Sequence, residues 1–217
     1  MQGCNNLEEI NVDNHNYYYS SIDGVLYSKN KKELLKYPEG KNAETFDVPN
    51  YVTEISFNAF ENSKLKYVNL SDGLKIINQG AFENCIYLER IVIPNSVSQL
   101  GDNSLGRGNV FKGCINLKSI VLSNQISILR SKTFENCTSL ESITIPASVN
   151  TIEFSVFMNC SVLKNIIFEN PNGWCHSSNS MLSSPSGGQA RDLSDSSDNA
   201  RFFKKYNRYW KRFDEEP

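Results

Sequence analysis

A phenylalanine that recurs at nearly constant spacing limits the fold of this chain more than any other feature. The five copies are Phe60, Phe82, Phe111, Phe134 and Phe157, and the intervals between them are 22, 29, 23 and 23 residues. A period between about 20 and 50 residues is typical of repeat architectures, in which one unit cannot bury its apolar side chains alone. The spacing therefore predicts a stack of similar coils, with one coil for each repeat.

Other positions recur with the phenylalanine, in the order Phe-x-x-Cys-x-x-Leu-x-x-Ile-x-Ile-Pro. The Leu-x-x-Ile-x-Ile portion ends in alternation, which predicts a short strand, and proline ends that strand because it donates no backbone hydrogen bond. The remaining residues suit an irregular or 3₁₀-like return. Strands are expected over 7–12, 46–48, 65–70, 88–93, 117–122, 140–145 and 163–168, giving about seven coils.

Composition agrees with a thin, elongated core and excludes several other classes. Hydrophobic residues make up only 39% of the 217, and the formal net charge is −2. That charge argues against a chain whose main work is to neutralise phosphates, and no apolar run is long enough to span a membrane. The first ten residues have no secretory signal but match 111–120 position by position, so we expect the chain to begin within a repeat.

Two insertions and a tail depart from the period. A Gly- and Asn-rich loop is expected over 101–109. An insert near 16–44 carries an Asp23-Gly24 turn signal and a hairpin around 28–31. We place a solenoid over 1–171 and a C-terminal segment over 172–217. That segment is Ser-rich over 176–198, and helical aromatic spacing follows at 202, 206, 209 and 210. We expect Trp174 and the Phe202/Tyr206/Tyr209 face to cover the last coil.

No constellation for catalysis, metal binding or a cofactor emerges. The repeat cysteines contain no Cys-x-x-Cys pair and are expected to be buried free thiols, with disulfides between stacked coils as the alternative. His15 and His176 lie at opposite ends of the predicted stack. Cys175 and His176 are adjacent, a spacing that rarely aligns a nucleophile with its base. We therefore expect no enzyme and no cofactor.

The tail is also basic, and two interpretations of its charge remain open. Its cations interleave with aromatic residues, as in surfaces that bind nucleic acid or anionic membranes. The alternative, which we favour, is the solvated face of a capping helix. The cations are Arg201, Lys204, Lys205, Arg208, Lys211 and Arg212.

The concave strand face is the candidate site. Residues that alternate with the core positions should point outward, and they include a row of Val92, Val121, Thr144 and Ile167 beside Tyr67 and Arg90. These side chains either fill strand positions through β propensity alone or form a protein-binding surface. The predicted binding residues are Tyr67, Asn69, Arg90, Val92, Ser119, Val121, Thr144, Asn165 and Ile167. Outward positions outside this set are Thr45, Asp47 and Ser142.

Period, Phe-x-x-Cys pair and Ile-Pro strand end together resemble the BspA-like leucine-rich repeat, which occurs in surface proteins of host-associated bacteria and some protozoan parasites. The resemblance implies a leucine-rich-repeat solenoid of short parallel strands with a C-terminal helical cap. It also implies a non-catalytic protein-binding module at the cell surface or secreted, with host extracellular-matrix or epithelial proteins as partners and no nucleic acid. An interaction scaffold without an adhesion role is the alternative.

Overall fold

Short strands dominate the computed structural model, which describes residues 4–102, 108–177, 189–205 and 207–213. In chain order they are β1 (Tyr19–Ile22), β2 (Val25–Ser28), β3 (Glu33–Lys36), β4 (Thr45–Asp47), β5 (Glu54–Ile55), β6 (Tyr67–Asn69), β7 (Ile76–Ile77), β8 (Arg90–Val92), β9 (Gln99–Leu100), β10 (Ser119–Val121), β11 (Ile128–Leu129), β12 (Ser142–Ile145), β13 (Thr151–Ile152), β14 (Asn165–Phe168), β15 (Trp174–Ser177), β16 (Gln189–Ala190) and β17 (Tyr209–Arg212). Helix α1 (Ser196–Lys205) precedes β17.

Each coil contributes one strand to a first parallel ladder, and every coil but the last also contributes one to a second. The first ladder contains β4, β6, β8 and β10 in that order, followed by the pair β12 and β14. The second contains β5, β7 and β9, followed by β11 and β13. In the first ladder the residues between outward ones, such as Val68, Ile91 and Ile143, are buried. The structure is thus a β-solenoid of about six turns, and the outward side of its first ladder is called the strand face below.

The repeated phenylalanines form one continuous stack through the core. Phe60, Phe82, Phe111, Phe134 and Phe157 lie with successive ring centroids 5.0, 5.3, 5.7 and 5.5 Å apart. The rings of each neighbouring pair are within 11° of parallel. Offset-parallel aromatic pairs gain more than the burial of their area alone, so the stack holds consecutive coils in register.

The repeated cysteines form a second row beside this stack. Cys85, Cys114, Cys137 and Cys160 are buried free thiols, and each donates to the backbone carbonyl of the phenylalanine one coil earlier, with Sγ···O distances of 3.0 to 3.1 Å. The expectation of free thiols rather than disulfides agrees with this arrangement. Burial also raises the pKa of Cys114 and Cys137, and raises that of Cys160 to about 12.

A left-handed backbone conformation follows each phenylalanine. The residue two positions later has φ between 56° and 75° in all five coils: Asn62, Asn84, Gly113, Asn136 and Asn159. Asparagine and glycine adopt this conformation more readily than other residues, which explains why only these two types occupy the position. It turns the chain sharply between the phenylalanine and the cysteine.

The N-terminal insert forms a three-stranded antiparallel unit. Strand β2 pairs with both β1 and β3, and β3 then pairs in parallel with β5 and so joins the second ladder. The strand predicted over 7–12 was wrong. The N–H of Ile10 donates to the carbonyl of Gly24 and that of Val12 to Ser21 Oγ, so this segment follows the insert instead of pairing with β4. The first ladder accordingly has six strands, not seven.

The C-terminal segment covers the last coil with a helix and a strand. Asp195 Oδ1 accepts the N–H groups of Ser197 and Asp198 and so caps α1. Buried Phe203 packs edge-on against Phe157, and Trp174 against Phe168. Strand β17 pairs with β13 on one side and β15 on the other.

The predicted helix therefore ended too late, and the predicted packing face was partly wrong. Residues 209 and 210 lie on β17, whose Trp210 and Lys211 pair with the edge of the second ladder, which a helix could not do. Phe203 is more deeply buried than Phe202, and Tyr209 packs against Phe154. Tyr206, most of the loop predicted over 101–109 and residues 178–188 of the Ser-rich segment lie outside the described residues.

Candidate functional site

The strand face exposes apolar side chains in register. Val92 on β8 lies opposite Val121 on β10, and Thr144 on β12 lies opposite Ile167 on β14. The exposed fractions of Val92, Val121 and Ile167 are 44, 52 and 46%. Parallel pairing without offset places equivalent positions of successive coils beside each other. Three of the four residues in this predicted row, Val92, Val121 and Ile167, therefore form a partly apolar surface.

Tyr67 and Arg90 lie side by side at one end of this face. They are register partners on β6 and β8, and Ser119 on β10 follows Arg90 in the same row. Tyr67 is 42% exposed, and Arg90 is exposed with no described hydrogen bond or ion pair in the parts of the chain that the structure describes. Between these strands lies a depression of about 540 Å³, whose lining includes both side chains, Asn69 and Val92.

The polar members of the predicted site have partners within the chain. Asn69 Nδ2 donates to Asp47 Oδ1 at 2.7 Å, which orients the Asn69 amide at the edge of the depression. Asn165 Oδ1 accepts from Ser196 Oγ at 3.2 Å, so the C-terminal cap covers part of that residue. The structure thus brings the predicted residues onto one face, with Asn165 at its capped end.

Sequence reasoning missed a row of alternating charge along the start of these strands. In six successive coils the position before the first outward residue is Glu44, Lys66, Glu89, Lys118, Glu141 and Lys164. Lys66 pairs with Glu44 at 2.6 Å, Lys118 with Glu89 at 2.9 Å and Lys164 with Glu141 at 3.8 Å. The hydrogen bond and charge of Lys118 lower the pKa of Glu89, and those of Glu44 raise the pKa of Lys66. In the sequence, this row could have been recognised from the alternation of lysine and glutamate directly after the repeat leucines, from Leu65 to Leu163.

The histidines, which could serve in catalysis or metal binding, lie far apart in the chain. His15 is exposed beside Asp13, whereas His176 is buried between Phe202 and Trp210, with ring centroids 5.4 and 4.6 Å away. Desolvation lowers the pKa of His176. Within the described ranges, no three or more His, Cys, Asp or Glu side chains group so that they could hold a metal ion.

The basic tail residues contribute to the cap. Arg212 Nη1 donates to the carbonyl of Ala147 at 2.8 Å, Lys204 Nζ to that of Ser161 at 3.5 Å, and the Lys211 ammonium lies 5.2 Å from the centre of the Phe213 ring. Arg201 pairs with Asp198 at 3.7 Å. These contacts favour the capping interpretation of the tail charge. The ten-residue α1 is too short for a membrane span, and the part of the chain that the structure describes contains no helix that could serve as one.

Comparison with known families settles the identity of the repeat. The model of the BspA type leucine rich repeat region matches residues 36–109 and 106–183, with six copies. The chain belongs to the BspA-type leucine-rich-repeat family. A search of curated proteins found no match. BspA-type repeats are generally protein-interaction modules, which agrees with a strand face that exposes apolar and aromatic side chains.

Solved structures of bacterial leucine-rich-repeat proteins share the fold. A leucine-rich repeat protein from Eubacterium ventriosum is 28% identical, with a TM-score of 0.69 over 75% of this chain and 43% of its own. A leucine rich cell surface protein from Faecalibacterium prausnitzii is 35% identical, with a TM-score of 0.66 over 72% of this chain and 41% of its own. This BspA-type chain thus spans less than half the length of either relative.

Proposed function

We propose that this BspA-type chain is a non-catalytic binding module of a bacterial surface or secreted adhesin-like protein. The strand face is its binding surface, and host extracellular-matrix or epithelial proteins are its partners. The observation that carries the proposal is the juxtaposition of Tyr67 and Arg90 beside the exposed Val92 and Val121. Tyrosine and arginine contribute most of the binding energy at many protein interfaces, and apolar neighbours exclude water around them.

The side chains of the strand face also indicate which chemical groups its partner presents. An epitope that fits it presents a carboxylate to the Arg90 guanidinium and apolar side chains to Val92, Val121 and Ile167. The description of the Faecalibacterium prausnitzii relative as a cell surface protein supports the surface assignment. An interaction scaffold without an adhesion role would use the same face with a different partner.

Binding to immobilised fibronectin, laminin and collagen, and to cultured epithelial cells, tests the proposal. We expect Tyr67→Ala combined with Arg90→Ala to weaken binding at least about thirtyfold, because even one residue central to an interface contributes about 2 kcal/mol and every ~1.4 kcal/mol is tenfold. The thermal unfolding midpoint should not change, since both side chains are exposed. Ser142→Ala, on the same face but outside the predicted set, is the matched control and should bind normally. Equal binding by the double variant and the parent chain would refute the strand-face assignment.

A further inference from the structure

The N-terminal insert exposes three consecutive tyrosines. Tyr17, Tyr18 and Tyr19 have exposed fractions of 87, 77 and 48%, and we call them the tyrosine platform. They belong to no repeat. Tyr19 begins strand β1, which lies in the sheet of the second ladder, and Tyr17 and Tyr18 directly precede that strand. Insertions in repeat proteins often carry binding loops, and contiguous exposed aromatic surface marks an interaction site. The platform is therefore a candidate site independent of the strand face.

Hydrogen bonds fix the backbone beneath the platform. Asn16 Oδ1 accepts the N–H groups of both Tyr18 and Tyr19, each at 2.9 Å. The carbonyl of Tyr18 accepts the N–H of Lys29, also at 2.9 Å. The rings of Tyr18 and Tyr19 lie with centroids 6.5 Å apart. A backbone that is fixed before binding loses little conformational entropy when the site is occupied, and a tyrosine side chain has only two rotatable angles to order, which favours a role in recognition.

A polar depression of about 280 Å³ adjoins Tyr19. The residues that line it are Val12, Asp13, Asn14, Tyr19, Ser20, Ser21, Lys29 and Lys31, three of which are charged. Ser20 Oγ donates to the carbonyl of Ser28, and Ser21 Oγ accepts the N–H of Val12. Lys29 Nζ donates one hydrogen bond, to the carbonyl of Asn14 at 3.1 Å, and an ammonium has three N–H bonds to offer. Asp13 Oδ1 accepts the N–H of His15 at 2.8 Å, which leaves its second oxygen available as an acceptor.

These groups discriminate among classes of ligand. The negative charge of Asp13 disfavours binding of a polyanion, and the positive charges of Lys29 and Lys31 disfavour binding of a cation. An entirely apolar ligand would take three charged side chains out of water and leave part of their hydrogen-bonding capacity unsatisfied, which is costly. A sugar ring fits all of these constraints, since its hydroxyls both donate and accept hydrogen bonds and its C–H face packs flat on an aromatic ring.

We propose that the tyrosine platform and the adjoining depression bind a neutral glycan. One sugar ring occupies the depression and donates a hydroxyl hydrogen bond to Asp13 while it accepts one from Lys29. Neighbouring sugars extend over the exposed rings of Tyr17 and Tyr18. The proposal does not depend on the function assigned to the strand face.

An array of immobilised glycans tests this site. It carries neutral N-glycan cores, neutral fucosylated chains and β-glucan oligosaccharides, with sialylated and sulfated glycans as charged comparators. We expect the intact chain to retain neutral glycans, and saturation-transfer NMR with the strongest of them to show transfer from tyrosine ring protons. Tyr17→Ala combined with Tyr18→Ala should weaken binding at least about fivefold, because the variant removes both exposed rings over which the sugars extend.

Variants elsewhere make the result specific. Asp13→Asn should weaken binding by a similar factor, because an amide replaces a charged acceptor. Tyr67→Ala on the strand face should leave glycan binding unchanged, so failure of this proposal is distinguishable from failure of the strand-face assignment. Retention of no neutral glycan, retention of charged glycans only, or equal retention by the double tyrosine variant would each overturn the proposal.

Discussion

The thiol of Cys137 donates a hydrogen bond to the backbone carbonyl of Phe111 one coil earlier, with Sγ and O 3.1 Å apart. The same contact recurs in four successive coils, so the cysteine of the repeat links each coil to the preceding one. In the coil that precedes these four, Ser63 occupies the equivalent position, with its hydroxyl 3.4 Å from Cys85 Sγ. The position therefore selects for a small side chain that can donate a hydrogen bond.

Substitutions at Cys137 should separate these two requirements. Cys137→Ser keeps a donor and a small volume, and we expect it to lower the free energy of unfolding by less than about 1 kcal/mol. Cys137→Val removes the donor and overfills a fully buried site, for which we expect a loss of about 2 kcal/mol. Urea denaturation of both variants measures the difference. Equal losses would show that packing alone selects the cysteine.

Stability should fall at alkaline pH because the folded chain keeps these thiols protonated. Burial raises the pKa of Cys160 to about 12, whereas its ordinary value is 9.0. The folded state therefore binds more protons than the unfolded state between these values. The free energy of unfolding should be insensitive to this group below pH 9 and should decrease between pH 9 and 12 by up to about 1.4 kcal/mol per pH unit for each such thiol.

Urea denaturation at pH 8, 9 and 10.5 checks the sign. Cys160→Ser should flatten the decline by the contribution of one group. Tyr37, whose pKa burial raises to about 12, should contribute only above pH 10, the ordinary pKa value of tyrosine. A free energy of unfolding that stays constant from pH 9 to 10.5 would contradict the prediction.

Much of the fold could be predicted from sequence because identical positions in neighbouring coils meet identical surroundings. The spacing of the repeat specifies the core, since each phenylalanine packs on another phenylalanine and each strand pairs in register with its equivalent. The outward residues Val92 and Val121 could be placed for the same reason. Backbone conformations that recur once per repeat could also be predicted. Asn84 and Asn136, for example, share a left-handed conformation that their residue type indicates.

Segments outside the regular coils could not be predicted in the same way, because they bond to the insert or to the cap rather than to an equivalent coil. Residues 7–12 carry the strand pattern, yet the N–H of Ile10 bonds to the insert at Gly24. Residues 209 and 210 keep helical spacing, yet they lie in a strand, in which Tyr209 pairs with β15 and Trp210 with the edge of β13. In both segments a tertiary hydrogen-bonding requirement overrides the local pattern. The candidate site was predictable as a face, whereas its partner depends on chemistry outside the chain.

The C-terminal cap should depend on one buried amide. Asn199 Nδ2 donates to the carbonyl of Ile166 on the last strand at 3.1 Å and to that of Leu193 at 2.8 Å. Asn199→Leu removes both donors, and we expect it to lower the free energy of unfolding by about 2–3 kcal/mol. Hydrogen exchange over 165–168 should accelerate at the same time. Arg201→Ala, whose side chain is exposed on the same helix, should change stability by less than about 0.5 kcal/mol.

Two ion pairs of this solenoid should differ sharply in their contribution to stability. The Glu153 side chain is 4% exposed and accepts hydrogen bonds from Arg130 Nη1 at 2.6 Å and from the backbone N–H and the hydroxyl of Ser131 at 2.8 and 3.0 Å. Glu153→Ala leaves these buried donors without their acceptor, so we expect a loss of about 3–5 kcal/mol. Glu141 pairs with Lys164 at 3.8 Å with both side chains mostly exposed, and Glu141→Ala should cost less than about 1 kcal/mol. Parallel urea denaturation at low and high salt compares the two variants, and a similar loss for both would contradict the assignment of Glu153 as the acceptor that joins these two coils.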